Sequence, residues 1–319
     1  MVIKNKYQWE VSQSFNKQRL DYWLKKKLSS IPYPTICQLI RKGVIKLNGK
    51  KTKNSYILST GDLVNFTRDI NDNKPKAKNN DYNNKFGKFI QDLVVFKDDY
   101  SIVINKPSGL AVQGGTNINL NVDLLLDSLK FDKSERPKLV HRIDKQTSGI
   151  LLIARTLESS KYYGELFKNR LVEKKYLAVV QGIPKYKFGK IILKVGQKKK
   201  LEALTFFKVI GTDKNSAFLL VKPITGRKHQ IRDHLNSIGN PIIGDLKYRK
   251  EKLKSNNKSQ NLYLHSYSLK FKEANNKIKE IYAPLPDYFI STIKTMKLSY
   301  SIERHNLSFD NINNYKLIS

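Results

Sequence analysis

Apolar residues recur at Leu20, Trp23, Leu24 and Leu28, the three- and four-residue spacing that lays one stripe along a helix. A second run, Ile36, Leu39 and Ile40, follows Thr35, a residue suited to cap it. After Gly43 the alternation of Val44, Ile45 and Leu47 predicts a strand entering a tight turn at Asn48-Gly49, and Gly61-Asp62 turns the chain again before Leu63, Val64 and Phe66. Residues 67–88 are rich in Asn, Lys and Asp with hardly any aliphatic side chain, so they read as a linker. Beyond it, strand-like runs at 93–96, 101–104, 149–154, 176–180, 217–221 and 262–269 alternate with helical patterns at 159–171, 227–238 and 287–296. The order implies an α+β fold: a small unit at 1–66, a linker at 67–88, and a larger unit at 89–319 on a mixed, mainly antiparallel sheet with flanking helices. The chain after about residue 298 shows no clear pattern.

Charge changes the picture. Lys+Arg 60 against Asp+Glu 27 gives +33 at neutral pH, an excess that works against compaction unless a polyanion is the usual partner. Nucleic acid is that partner class. No stretch approaches the roughly 20 apolar residues of a membrane span, and the first residues lack the apolar core of a secretory signal, so a cytoplasmic protein that does not enter membranes is expected. The single cysteine, Cys37, supports neither an internal disulfide nor a cysteine zinc site. His229 and His234 stand five apart, about 140° around a helix, so they do not converge on a metal as an i, i+4 pair does. No metal site is expected.

The most informative segment is Leu139-Val140-His141-Arg142-Ile143-Asp144-Lys145-Gln146-Thr147-Ser148-Gly149, leading into an apolar strand. It sets ionisable residues in a loop, and the Thr-Ser-Gly turn can present Asp144 at a cleft edge where small side chains admit a ligand backbone. Two further blocks carry chemistry: Thr225-Gly226-Arg227-Lys228-His229-Gln230-Ile231-Arg232, and Glu173-Lys174-Lys175-Tyr176-Leu177-Ala178. On a helical wheel Arg227 falls within the arc of Ile231, Leu235 and Ile238, which points its guanidinium inward and calls for a carboxylate. By the pleat, Tyr176, Ala178 and Val180 share one side of a strand.

These blocks, with Asn105-Lys106-Pro107-Ser108-Gly109, resemble the RluA family of pseudouridine synthases, and Arg19-Leu20-Asp21 with Leu39-Ile40-Arg41-Lys42-Gly43-Val44 and Asn48-Gly49-Lys50 resembles the S4 RNA-binding domain. The two resemblances span most of the chain from Phe15 to about Leu269. They imply an enzyme that isomerises uridine to pseudouridine in RNA, with Asp144 catalytic, Arg227 its counter-ion and Tyr176 facing the flipped base, stacking on it and taking the C5 proton. Asp144 would attack the sugar or the base, or remove a sugar proton; each role needs an anion against the nucleotide. Neither a metal nor an organic cofactor is required. Arg142 is a candidate wedge for the gap left by the extruded nucleotide and Lys145 a phosphate holder. Arg19, Lys25, Arg41 and Lys42 would give the S4-like unit a basic surface.

The Lys-Pro-Ser-Gly block with Gly114-Gly115 looks nearest the bacterial branch that modifies large-subunit (23S) ribosomal RNA, and the protein is expected to act as a monomer. Two other readings stay open: a synthase acting on tRNA, and a noncatalytic S4-type RNA-binding or ribosome-assembly protein.

Overall fold

The computed structural model describes residues 8–28, 31, 33–67, 78–114, 118, 120–195, 201–248, 261–273, 277–295, 309 and 315–318. Residues 68–77 of the expected linker, Gly115, Met296 and most of the segment after residue 298 lie outside them. The chain divides into two compact units, 1–78 and 79–319.

In the first unit, strand β1 (Gln8–Glu10) precedes helices α1 (Leu20–Lys27) and α2 (Tyr33–Lys42) and strands β2 (Ile45–Leu47) and β3 (Leu63–Phe66). The strands form an antiparallel sheet in the order β1-β3-β2. The expected stripe makes the core: Leu20, Trp23 and Leu24 of α1 bury against Ile36, Leu39 and Ile40 of α2 and Ile45, Leu47 and Val64 of the sheet. Helix α2 begins two residues before the expected cap Thr35. Pro34 fits the first turn, where its missing N–H has no partner to lose.

The second unit opens with α3 (Lys78–Asp92), in place of the linker expected to reach residue 88. Its polar composition conceals an anchoring face: Ile90 is buried with Phe86 packed near it, and Gln91 Nε2 donates to the Ser128 carbonyl at 2.8 Å. Strands β4 (Val94–Lys97), β5 (Ser101–Lys106), β6 (Lys138–Leu139), β7 (Ser148–Ala154), β8 (Glu173–Gln181), β9 (Phe188–Val195), β10 (Leu201–Thr212), β11 (Ser216–Pro223), β12 (Leu264–Lys272), β13 (Ile278–Tyr282) and β14 (Lys316–Ile318) make one sheet. Its order is β14-β9-β10-β11-β8-β12-β7-β5-β4, with β13 on β12 and β6 on β7. Among the described residues, only the β12–β7 and β14–β9 strand pairs are parallel.

Helices cover both faces, which is why β7 is buried along its whole length. Leu151 and Ile153 face a cluster with α4 (Val122–Leu125), while Ile150, Leu152 and Ala154 face α5 (Leu157–Lys168). Farther along, Ala178, Val180, Leu219 and Val221 pack on α6 (Gln230–Ser237), and Leu177, Val179, Phe218 and Leu220 on α7 (Asp287–Thr295). Among the described residues no helix is long and apolar enough to cross a membrane.

Candidate active site

The site forms at the seam where β7 meets β12 in parallel for two register positions, Ser148 opposite His265 and Gly149 opposite Ser266. Gly149 has φ +103°, and a Cβ there would stand 2.2 Å from the Ser266 carbonyl oxygen. The close approach that this glycine permits is therefore to the neighbouring strand, in place of the ligand backbone expected from sequence. The loop entering β7 is pinned from the opposite side. Gly109 N–H donates to the Lys145 carbonyl at 2.9 Å and Ser108 Oγ to the Gln146 carbonyl at 2.8 Å. Lys106, fully buried at the end of β5, donates Nζ to the carbonyls of Pro107, Leu110 and Lys145. Burial lowers its pKa to about 7, against the pull of the nearby Asp144 charge.

The pinned loop places Asp144 in a cleft of about 520 Å³. Its carboxylate is about one-fifth exposed. Tyr176 of β8 and Arg227 line the same cleft, so all three residues expected to carry the chemistry converge. Burial, helped by the Asp144 charge, pushes the Tyr176 hydroxyl up to about 12. Further lining comes from the end of α5, the turn after it and the start of β8, with Phe167, Lys168, Arg170 and Lys174. His141, from the loop before Asp144, stacks on Phe167 with centroids 4.2 Å apart and accepts the Leu152 N–H at Nε2 (2.8 Å), so its remaining proton sits on Nδ1. Burial, then the Lys174 charge, hold its pKa near 3.

The expected ion pair between Arg227 and Asp144 is not formed. Among the described residues, the only basic nitrogen within 4.0 Å of the carboxylate is His229 Nε2, at 3.9 Å. The wheel placed Arg227 on a helix, but α6 starts at Gln230, and His229 before it takes a left-handed conformation (φ 57°). Arg227 thus belongs to a loop, with Nε buried and without a hydrogen-bond partner. Gln230 shapes that loop: its Oε1 accepts from Thr225 Oγ1 (2.6 Å) and Arg227 N–H (3.0 Å), and its Nε2 donates to Leu204 O and Thr205 Oγ1 (both 3.0 Å). The arginine that found a carboxylate is Arg232, bidentate to Asp245 at 2.6 and 2.7 Å. Sequence reading gave no structural or catalytic role to His229, Gln230, Arg170 or Lys174, although all four lie inside or beside the quoted motifs.

The expected RNA contacts divide. Arg142 is exposed and lines the cleft, whereas Lys145 is exposed outside the lining. In the first unit Arg19 is tied to the buried carboxylate of Asp21 through Nε (3.1 Å) and Nη2 (2.7 Å), and Lys25 donates to the Ile31 carbonyl at 3.0 Å. Lys42 is exposed. Arg41 instead joins Lys51, Lys53 and Tyr56 around a hollow of about 920 Å³, a grouping that only the fold reveals.

A lone carboxylate at the floor of a cleft walled by cations defines an enzyme that works on a polyanion. Comparison with known proteins gives the family: residues 99–237 match the RNA pseudouridylate synthase model and residues 18–64 the S4 domain. The chain belongs to the RluA family of RNA pseudouridine synthases. It is 32% identical to the ribosomal large subunit pseudouridine synthase C of Buchnera aphidicola subsp. Schizaphis graminum over 90% of this chain and 96% of that protein. With the protein of the same name from Rickettsia bellii the identity is 37%, over 85% and 95%. The solved human RNA pseudouridylate synthase domain containing 4 superposes with a TM-score of 0.60 at 25% identity, covering 68% of this chain and 98% of that one.

Proposed function

We propose that this protein converts specific uridines of large-subunit ribosomal RNA to pseudouridine, with Asp144 as the catalytic carboxylate. The convergence of Asp144, Tyr176 and Arg227 on one cationic cleft carries this reading. The names and near-full coverage of its relatives favour large-subunit RNA as substrate. Residues 1–66 hold the RNA and the unit from α3 onward modifies it, in the cytoplasm.

Isomerisation breaks the bond from ribose C1′ to N1, turns the uracil and rejoins C1′ to C5; C5 then loses its proton and N1 gains one. No atom is lost. Asp144 supplies the anion that either attacks or takes a sugar proton, and Arg227, whose Nε lacks a protein partner, supplies balancing charge once the nucleotide closes the cleft. With its hydroxyl lifted to about 12 by burial, Tyr176 enters the reaction protonated and stacks on the base. Asp144 and His229 are further bases lining the same cleft, the latter kept below its ordinary pKa by burial despite the opposing Asp144 charge.

The test is a map of pseudouridine in total RNA from cells with the protein, without it, and with Asp144→Asn. Loss of one or a few large-subunit sites in both altered strains is expected. An unchanged map would reject the assignment, and loss confined to tRNA would move the substrate.

A further inference from the structure

Several cations near the cleft or on β8 and β11 are answered by carboxylates. Lys175 lies 3.1 Å from Glu280, Lys222 2.6 Å from Glu173, and Lys168 3.0 Å from Glu165. Arg170 and Lys174 differ: among the described residues neither side chain has an ion-pair or hydrogen-bond partner, yet both line the Asp144 cleft. Lys174 is only partly exposed, and Arg170 is held in the left-handed region at φ 61°, a conformation that costs free energy in a residue with a side chain. Burial and the neighbouring Arg170 charge lower the Lys174 pKa to about 8. Two like charges brought together in a half-closed site, neither paired with a carboxylate among the described residues, are a standing electrostatic cost that an anionic ligand relieves.

We propose that Arg170 and Lys174 form a phosphate-binding site that takes the phosphodiester of the uridine being isomerised and sets how deeply that nucleotide enters. Lys174 and Tyr176 lie two residues apart on one face of β8, roughly 7 Å along the strand. A base stacked on Tyr176 therefore carries its own phosphate toward Lys174 and the Arg170 turn. The inference rests on the cleft being the seat of isomerisation and adds which part of the substrate each wall holds.

Full-length protein and large-subunit RNA from cells lacking it make the test. Lys174→Met and Arg170→Gln should each raise KM by about tenfold, the equivalent of one lost charge-assisted contact, and leave kcat at saturating RNA within about threefold. Each should also reduce the slope of log affinity against log salt by about 0.7, measured in an Asp144→Asn background where chemistry is blocked. Lys174→Arg should restore both values. Thermal unfolding checks that the variants fold, and the exposed Arg170 carries the test if Lys174→Met does not. An unchanged KM and salt slope would overturn the proposal; so would a fall in kcat at constant KM, which would make Lys174 a positioning residue for Tyr176. Should Asp144→Asn keep its activity, the reading of the cleft fails instead, whatever the salt slopes show.

Discussion

Two aspartates of the second unit meet arginine in opposite ways. Asp245 is fully buried and bidentate with Arg232, while Asp144 is one-fifth exposed, and Arg227, in the same cleft, makes no pair with it. The first arrangement is complete without a ligand. The second leaves a carboxylate and a guanidinium unanswered in one cavity, the state expected of groups that a substrate completes.

Removing the open carboxylate has the largest effect. Asp144→Asn should abolish turnover while the thermal midpoint stays within a few degrees of wild type, because no ion pair is lost; residual turnover would contradict the reading. Breaking the closed pair does the reverse. Arg232→Met strands the Asp245 charge in the interior and should cost about 3–5 kcal/mol of stability, read by denaturant unfolding. An effect near zero would mean that the two aspartates are more alike than the geometry implies.

Acid should act on the closed interior. Burial holds the pKa values of His234 and His265 at about 4, below the ordinary 6.5. Between those values the unfolded chain takes up protons that the folded chain refuses, so stability falls as pH drops from about 6.5 toward 4. The loss is at most about 1.4 kcal/mol per pH unit for each histidine. Unfolding curves at pH 7, 6 and 5 check it, and an identical midpoint at all three would contradict it. A further change concerns the frame of the open site: Gln230→Met removes four hydrogen bonds around the Thr225–Arg227 loop and should cost about 1–3 kcal/mol. It should also lower kcat more than it raises KM; unaltered kcat would show that Gln230 does not position Arg227.

What could be read in the sequence followed periodicity and motif. The stripe of α1, the unbroken apolar run of β7 and the Asp144 block stand out because local pattern and burial agree there. Strands β9 and β10 were not expected, since the lysines of Lys190-Ile191-Ile192-Leu193-Lys194 interrupt the alternation on which strand reading depends. Helix α3 hid behind its asparagines, its anchor being two apolar residues and Gly87, which packs against Ser128. The rule that an inward arginine needs a carboxylate held, but for Arg232; the left-handed turn at His229 shifted the helix start and took Arg227 off its face. Partnerless cations such as Lys174 are invisible in a linear reading, because being unpaired is a property of the whole surrounding fold.

The fastening of residues 144–147 carries a mechanical consequence. Three successive carbonyls, those of Asp144, Lys145 and Gln146, are all engaged, two of them by the segment 106–109. On the proposed mechanism, the backbone that carries Asp144 is held in place and does not move out to meet the target. On that mechanism most of the deformation falls to the RNA, which unstacks its base at a cost of a few kcal/mol, least where the helix is already loose. On this reading, rigidity in the protein becomes discrimination among uridines by how readily each one yields.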